Sequence, residues 1–191
     1  MKKITLAMFM FAFTLYFTTQ MHCFAAPSVS AGKVYEIVSA EKSETGKMVD
    51  FFFLDDNGEK VSIKSITKNK FVFLNFWATW CPPCRAEIPD IIELQDELKS
   101  KDLMVIGIAL EREKDIEKDK AKVQKYVTNS RINYINFITS QEIKKALADA
   151  YGGIPYIPTT FLIDKKYNVF EKIQGGREKK EFLESLDKLM K

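Results

Sequence analysis

The stretch from Phe71 to Leu98 constrains this chain more than any other. Phe71-Val72-Phe73-Leu74-Asn75-Phe76 is a nearly continuous apolar run of strand length. A strand that is apolar on both faces belongs inside a sheet covered by helices on both sides. Trp80-Cys81-Pro82-Pro83-Cys84 follows directly, and Ile88, Ile91, Ile92, Gln95 and Leu98 then mark one face of a helix ending near Lys99. Strand, paired cysteines and helix form the unit around which the other elements must be arranged.

Upstream, residues 26–48 are small, polar and charged around Val34-Tyr35-Glu36-Ile37-Val38, which reads as a leader with one edge strand. Asp50 to Leu54 and Val61-Ser62-Ile63 flank the turn cluster Asp55-Asp56-Asn57-Gly58, a β-hairpin pattern. Downstream, Leu103 to Leu110 predicts a second buried strand. Glu111 to Thr128 is highly charged, with a narrow stripe of Ile116, Val123 and Val127, and reads as a helix with a solvated outer face. Ile135 to Ile138 is a short strand, and Glu142 to Tyr151 a helix stopped by Gly152-Gly153. Thr159 to Ile163 and Val169 to Ile173 pair as another hairpin, and Lys179 to Met190 closes the chain as an amphipathic helix. This order predicts an α/β fold with a central mixed sheet flanked by helices.

The N-terminus changes what chemistry is available. Lys2-Lys3, the apolar run Ile4 to Phe17 and the small-x-small site ending at Ala25 have the layout of a secretory signal peptide, residues 1–25. The run has 14 residues, short of the roughly 20 that span a bilayer comfortably, so a retained membrane anchor ranks second. Acylation of Cys23 is disfavoured by the bulky, polar Gln20-Met21-His22 before it. Cleavage after Ala25 removes His22 and Cys23, leaving no histidine, only Cys81 and Cys84, and a formal charge lowered from +3 to +1. Ser-His and Cys-His catalytic pairs and histidine-ligated metals are then excluded, and two cysteines make a poor zinc site, so no metal is expected. With 29 Lys and Arg against 26 Asp and Glu, the charge is too evenly mixed for a nucleic-acid surface.

A C-x-x-C pair can be half a zinc site, a structural disulfide or a redox dithiol. A disulfide spanning two residues constrains the unfolded chain little. The strand-to-helix placement reads as a redox dithiol. The first helical turn has unpartnered N–H groups and partial positive charge, which stabilise a thiolate on Cys81. That thiolate attacks a disulfide, and Cys84, one turn deeper, resolves the mixed disulfide. Pro82 and Pro83 hold φ near helical values and pre-organise the turn.

Phe76 to Cys84, Pro89 five residues beyond the second cysteine, and Ile157-Pro158-Thr159-Thr160 before a strand resemble the thioredoxin superfamily. Asn75 to Trp80, Arg85-Ala86-Glu87-Ile88-Pro89 and Thr159 to Asp164 resemble, more narrowly, its extracytoplasmic TlpA/ResA branch. The resemblance covers about Asp50 to the C-terminus. It implies a thioredoxin-like domain over residues 49–191, with an N-terminal β-hairpin extension and a helical insertion. It also implies that Pro158 is cis and lies against the dithiol, so that Ile157 presents its backbone to an extended substrate. Pro155 reads as plain turn chemistry.

Thioredoxins proper resemble one another in a buried aspartate six residues before the first cysteine. Asn75, which cannot accept a proton, stands there. The ResA-like branch carries a carboxylate at the position of Glu87, one turn beyond Cys84. Two readings stay open: a partly buried Glu87 that assists proton transfer to Cys84 and raises thiol pKa values, or an exposed carboxylate placed by the helix dipole. Trp80 reads as an apolar wall beside Cys81 that contributes to partner binding, with Pro82, Pro83, Ile157 and Pro158. Trp77 reads as core, and Arg85 as a solvated arginine.

The expected activity is an extracytoplasmic or periplasmic thiol-disulfide oxidoreductase that reduces protein disulfides. It needs no cofactor beyond the redox-active Cys81–Cys84 disulfide and is recharged by a membrane thiol-disulfide electron donor. The resemblance implies apocytochrome c, in cytochrome c maturation, or a copper-assembly factor as substrate. A dithiol oxidase or isomerase is the alternative, and Pro82-Pro83 tells against it by supplying no charge between the cysteines. A non-catalytic binding module is disfavoured by two intact cysteines, and a peroxidase by the absence of a single peroxidatic cysteine in a Pro- and Thr-bearing loop.

Overall fold

A computed structural model describes residues 26–113 and 115–191. The expected signal peptide, with His22 and Cys23, lies outside the described residues. In chain order the elements are β1 (Val34–Ala40), β2 (Phe51–Leu54), β3 (Lys60–Ser62), α1 (Ile63–Ile66), β4 (Phe71–Trp77), α2 (Pro82–Leu98), β5 (Leu103–Ala109), α3 (Ile116–Asn129), β6 (Ile135–Thr139), α4 (Gln141–Ala150), β7 (Thr159–Ile163), β8 (Val169–Gln174) and α5 (Lys179–Leu189). The strands form one eight-stranded sheet in the order β3-β2-β1-β6-β5-β4-β7-β8. Its centre is parallel, from β1 through β6 and β5 to β4, and both flanks are antiparallel hairpins. The central mixed sheet, its flanking helices and both expected hairpins are present.

The apolar run of β4 behaves as its composition requires. Phe73 and Trp77 enter a core packed under α2, α3 and α5 with Ile88, Leu94, Val127 and Phe182. Val72, Leu74 and Phe76 enter a second core on the opposite face with Phe53, Phe137, Leu147 and Phe161. All five β4 side chains are fully buried. The strand therefore has no solvated face, and a one-residue slip in register would exchange its two sets of neighbours.

Two expectations about the N-terminal region are corrected. The strand within residues 26–48 is not an edge strand: β1 lies inside the sheet, antiparallel to β2 and parallel to β6, with Val34 opposite Asn136 and Ile37 opposite Thr139. Tyr35 and Ile37 are buried by this pairing, whose partner lies about a hundred residues further along the chain, so no local pattern announces it. Ile63 does not continue the hairpin strand. Ser62 accepts a hydrogen bond from the Lys64 amide at 3.2 Å, caps α1 and ends the ladder there.

Candidate active site

The C-terminal ends of parallel β4 and β5 lie side by side, with Trp77 opposite Ala109, so the loops that leave them share one edge of the sheet. After Trp77 the chain turns through Ala78 to Trp80 and starts α2. Cys81 is the helix cap, with extended backbone, and its Sγ lies 3.3 Å from the Cys84 amide. Pro82 and Pro83 occupy the next two positions, both exposed, where a missing N–H costs the helix nothing. Cys81 and Cys84 are joined as a disulfide with Cα atoms 5.3 Å apart, Cys81 at 3% exposure and Cys84 fully buried.

The loop before β7 closes the other side. The Ile157–Pro158 bond is cis, and the Ile157 carbonyl lies 3.7 Å from Cys81 Sγ. The Pro158 carbonyl accepts from the Gly175 amide at 2.9 Å, which ties this loop to the end of β8. The sulfur that leads the helix thus has a backbone carbonyl beside it and an aromatic wall, Trp80, that is 37% exposed. Pro155 and Tyr156 are exposed in the same loop, whereas Pro158 is buried.

Beneath the disulfide the core becomes polar. Glu87 is only 3% exposed, which removes the reading of it as an exposed dipole-placed carboxylate. Its Oε1 accepts from Asn75 Nδ2 at 2.9 Å, and the same amide donates to Thr160 Oγ1 at 3.0 Å, across the β4–β7 register pair Asn75 and Thr160. Asn75 Oδ1 has no partner, and Glu87 Oε2 faces the Arg177 backbone N–H without a well-formed hydrogen bond. Burial pushes the Glu87 carboxyl up to about 7, against the pull of the Asn75 amide. Glu87 nonetheless lines a surface cavity of about 380 Å³ with Pro83, Gly176 and Arg177. A carboxyl raised towards neutrality, one turn beyond Cys84 on the same helix and bordering a surface cavity, can exchange protons with the dithiol.

Trp77 is core, fully buried, with its indole donating to Asn136 Oδ1 at 3.1 Å. Arg85 is exposed. Two further residues carry the site and escape a reading of sequence pattern. Glu111, in the segment read as a solvated charged face, is 2% exposed; it accepts from the Thr79 amide at 2.7 Å and from Lys122 Nζ at 2.8 Å. Arg112 lies with Cζ 3.5 Å from the centroid of the Trp80 ring. Their position directly after a buried parallel strand is the signal that could have found them. Among the described residues no cluster of three or more His, Cys, Asp or Glu side chains could hold a metal ion.

Residues 45–172 match the AhpC/TSA family. The chain is 36% identical to the thiol-disulfide oxidoreductase ResA of Bacillus thuringiensis subsp. konkukian over 151 residues, 78% of this chain and 80% of that protein. It is 30% identical to ResA of Bacillus subtilis over 145 residues, 74% of this chain and 75% of that protein. The crystal structure of a thiol:disulfide interchange protein of the thioredoxin family from Chlorobium tepidum matches with a TM-score of 0.63 at 30% identity, over 79% of this chain and all of that one.

Proposed function

The chain belongs to the AhpC/TSA family as a thioredoxin-like thiol-disulfide oxidoreductase, and we propose that it works outside the cytoplasm as a reductant of protein disulfides. The observation that supports this is the Cys81–Cys84 disulfide at the start of α2, with Cys81 Sγ 3.7 Å from the Ile157 carbonyl and Glu87 buried one turn beyond Cys84. Reduced Cys81, as thiolate at the helix N-terminus, attacks one sulfur of a substrate disulfide, and the other substrate sulfur leaves as a thiolate. Cys84 passes its proton to the Glu87 carboxylate and attacks Cys81. The mixed disulfide breaks, the substrate leaves as a dithiol, and the protein is left as the Cys81–Cys84 disulfide, two electrons poorer. A membrane thiol-disulfide donor restores the dithiol.

Ile157 supports an extended substrate segment through strand-like backbone hydrogen bonds beside Pro158, and Trp80, Pro82 and Pro83 form the exposed apolar rim. The export reading rests on residues 1–25. Apocytochrome c, whose haem-attachment cysteines must be reduced, is the first substrate to try, and a copper-assembly factor the second. The direction of electron flow rests on Pro82-Pro83, which place no positive charge between the cysteines to favour the reduced state.

Equilibration with glutathione or thioredoxin couples tests the assignment. A potential near thioredoxin's, about −270 mV, is expected, and one near about −120 mV, that of the strong periplasmic oxidants, would make the protein an oxidase. Cys84→Ala, which cannot resolve, is expected to accumulate a mixed disulfide through Cys81 with the physiological substrate.

A further inference from the structure

Arg112 sits on a loop joined to its neighbours by several hydrogen bonds. The Leu110 amide donates to the Trp77 carbonyl at 2.7 Å, and the buried Glu111 carboxylate takes the Thr79 amide and Lys122. Lys144 Nζ donates to the Glu111 carbonyl at 2.6 Å, and Gln141 donates to the carbonyls of Glu111 and Glu113. These bonds tie the β5–α3 loop to the Thr79-Trp80 turn, α3 and α4, and the Arg112 guanidinium lies over the Trp80 ring.

Near this stack the buried acids Glu111 and Asp119 face Lys122 and Lys144, and, among the described residues, the Arg112 guanidinium is left without an ion-pair partner. Glu111 is neutralised by Lys122. Among the described residues no carboxylate forms an ion pair with Arg112 or with Arg85, the exposed arginine that follows Cys84. Glu113, the acid next to Arg112, is exposed and does not pair with it. The loop from Gly152 to Pro158 brings no charge to the rim, only the 70% exposed ring of Tyr156.

We infer that Arg112, stacked on Trp80, is a specificity-determining residue that receives a carboxylate side chain flanking the disulfide of the protein substrate. This rests on the thiol-disulfide reading above and adds a feature of the substrate class. A guanidinium lying flat on an indole keeps its edge N–H groups pointing outward in the fork that a carboxylate matches with two bonds. Stacking also orders the side chain before the substrate arrives, which lowers the entropic cost of pairing. Arg85 and the positive end of α2 add to the same potential.

Three peptides, each closed by the same disulfide and differing only in Glu, Gln or Lys next to the first cysteine, test this. Second-order rate constants are measured for reduction by the reduced protein and by Arg112→Gln and Arg112→Lys. The wild type is expected to favour the Glu peptide over the Lys peptide by about fivefold at low salt, with Gln between, and to lose most of that ratio in 1 M salt. Arg112→Gln should bring the ratio to within about twofold of one, and Arg112→Lys, which keeps the charge and loses the fork, should keep part of it. The ratio is internal to each variant, so an overall loss of rate does not obscure it. Equal wild-type rates, or a preference that survives in Arg112→Gln, would overturn the inference alone. Absence of Cys81-dependent reduction of all three peptides would overturn the redox reading and this inference with it.

Discussion

The two faces of the central sheet are filled in opposite ways, although β4 supplies both. On the face away from α2, Phe76 packs with Tyr151 and Phe161, and Phe137 with Phe51 and Phe53, with ring centroids 4.6 to 5.8 Å apart in these clusters. On the dithiol face, a polar seam of Asn136, Trp77, Asn75, Thr160 and Glu87 runs through the core. Asn75 Oδ1 and Tyr134 Oη are buried there without partners. Each such atom costs about 1–3 kcal/mol, a cost that an aromatic core does not carry. Both faces are packed cores, and the polar groups that surround the dithiol are gathered on one of them.

Breaking the reactive face at its centre has the largest expected effect. Cys81→Ser should reduce insulin turnover to the uncatalysed background while leaving the unfolding midpoint of the reduced protein nearly unchanged. Residual thiol-dependent turnover in that variant would mean that the dithiol is not the reacting group.

The aromatic face is tested by Phe137→Ala, whose ring lies 4.9 and 5.1 Å from those of Phe53 and Phe51. Denaturant unfolding should show a loss of about 3–5 kcal/mol. The pH profile of the thiol reaction should stay where it was; a shifted profile would show that the two faces are coupled.

Glu87 gives the comparison a pH axis. The folded protein keeps the Glu87 proton up to about pH 7, whereas the carboxyl of the unfolded chain loses it near 4.5. Between those values the folded state binds more protons, so the stabilisation falls as pH rises and the penalty is complete above pH 7. Relative to Glu87→Gln, the wild type should lose roughly 3 kcal/mol across that window, at about 1.4 kcal/mol per unit. The same substitution should lower the thiol pKa values by removing the nearby negative charge. A stability difference that is flat from pH 4 to pH 8 would exclude a carboxyl with a raised pKa.

Gly107 offers the smallest change. A Cβ there would overlap Asn136 Oδ1 and lie 2.9 Å from Trp77 Nε1, because the indole-to-amide bond crosses the sheet directly over this residue. Gly107→Ala should cost about 1–3 kcal/mol and shift Trp77 fluorescence as the indole is displaced. Unchanged emission would mean that the seam adjusts without moving Trp77.

The elements were legible where their physics is local. An apolar run long enough to be buried on both faces predicts a central strand, and β4 is one. The stripe of Ile88, Ile91 and Leu98 predicts α2, and the turn residues around Gly58 and Asp164 to Asn168 predict their hairpins. The β1 strand was legible as a strand and not as an interior one, because its neighbour β6 is remote in the chain. Glu111 sits in a run of charges whose neighbours are solvated, and only the fold turns it inward to hold the Thr79 amide.

The sequence by itself singled out the candidate reacting group: two cysteines at helical spacing behind a buried strand, with no other thiol and no histidine in residues 26–191. That follows from covalent order, since strand, C-x-x-C and helix are contiguous. The surroundings of the dithiol were decided by the tertiary structure. Pro158, Glu87 with Asn75, and Arg112 with Trp80 come from separate elements, and burial and mutual distance arise only when the sheet brings those elements to one edge. A raised carboxyl pKa and an unpaired, pre-ordered guanidinium are properties of that assembly, because desolvation and charge balance depend on every neighbour in space.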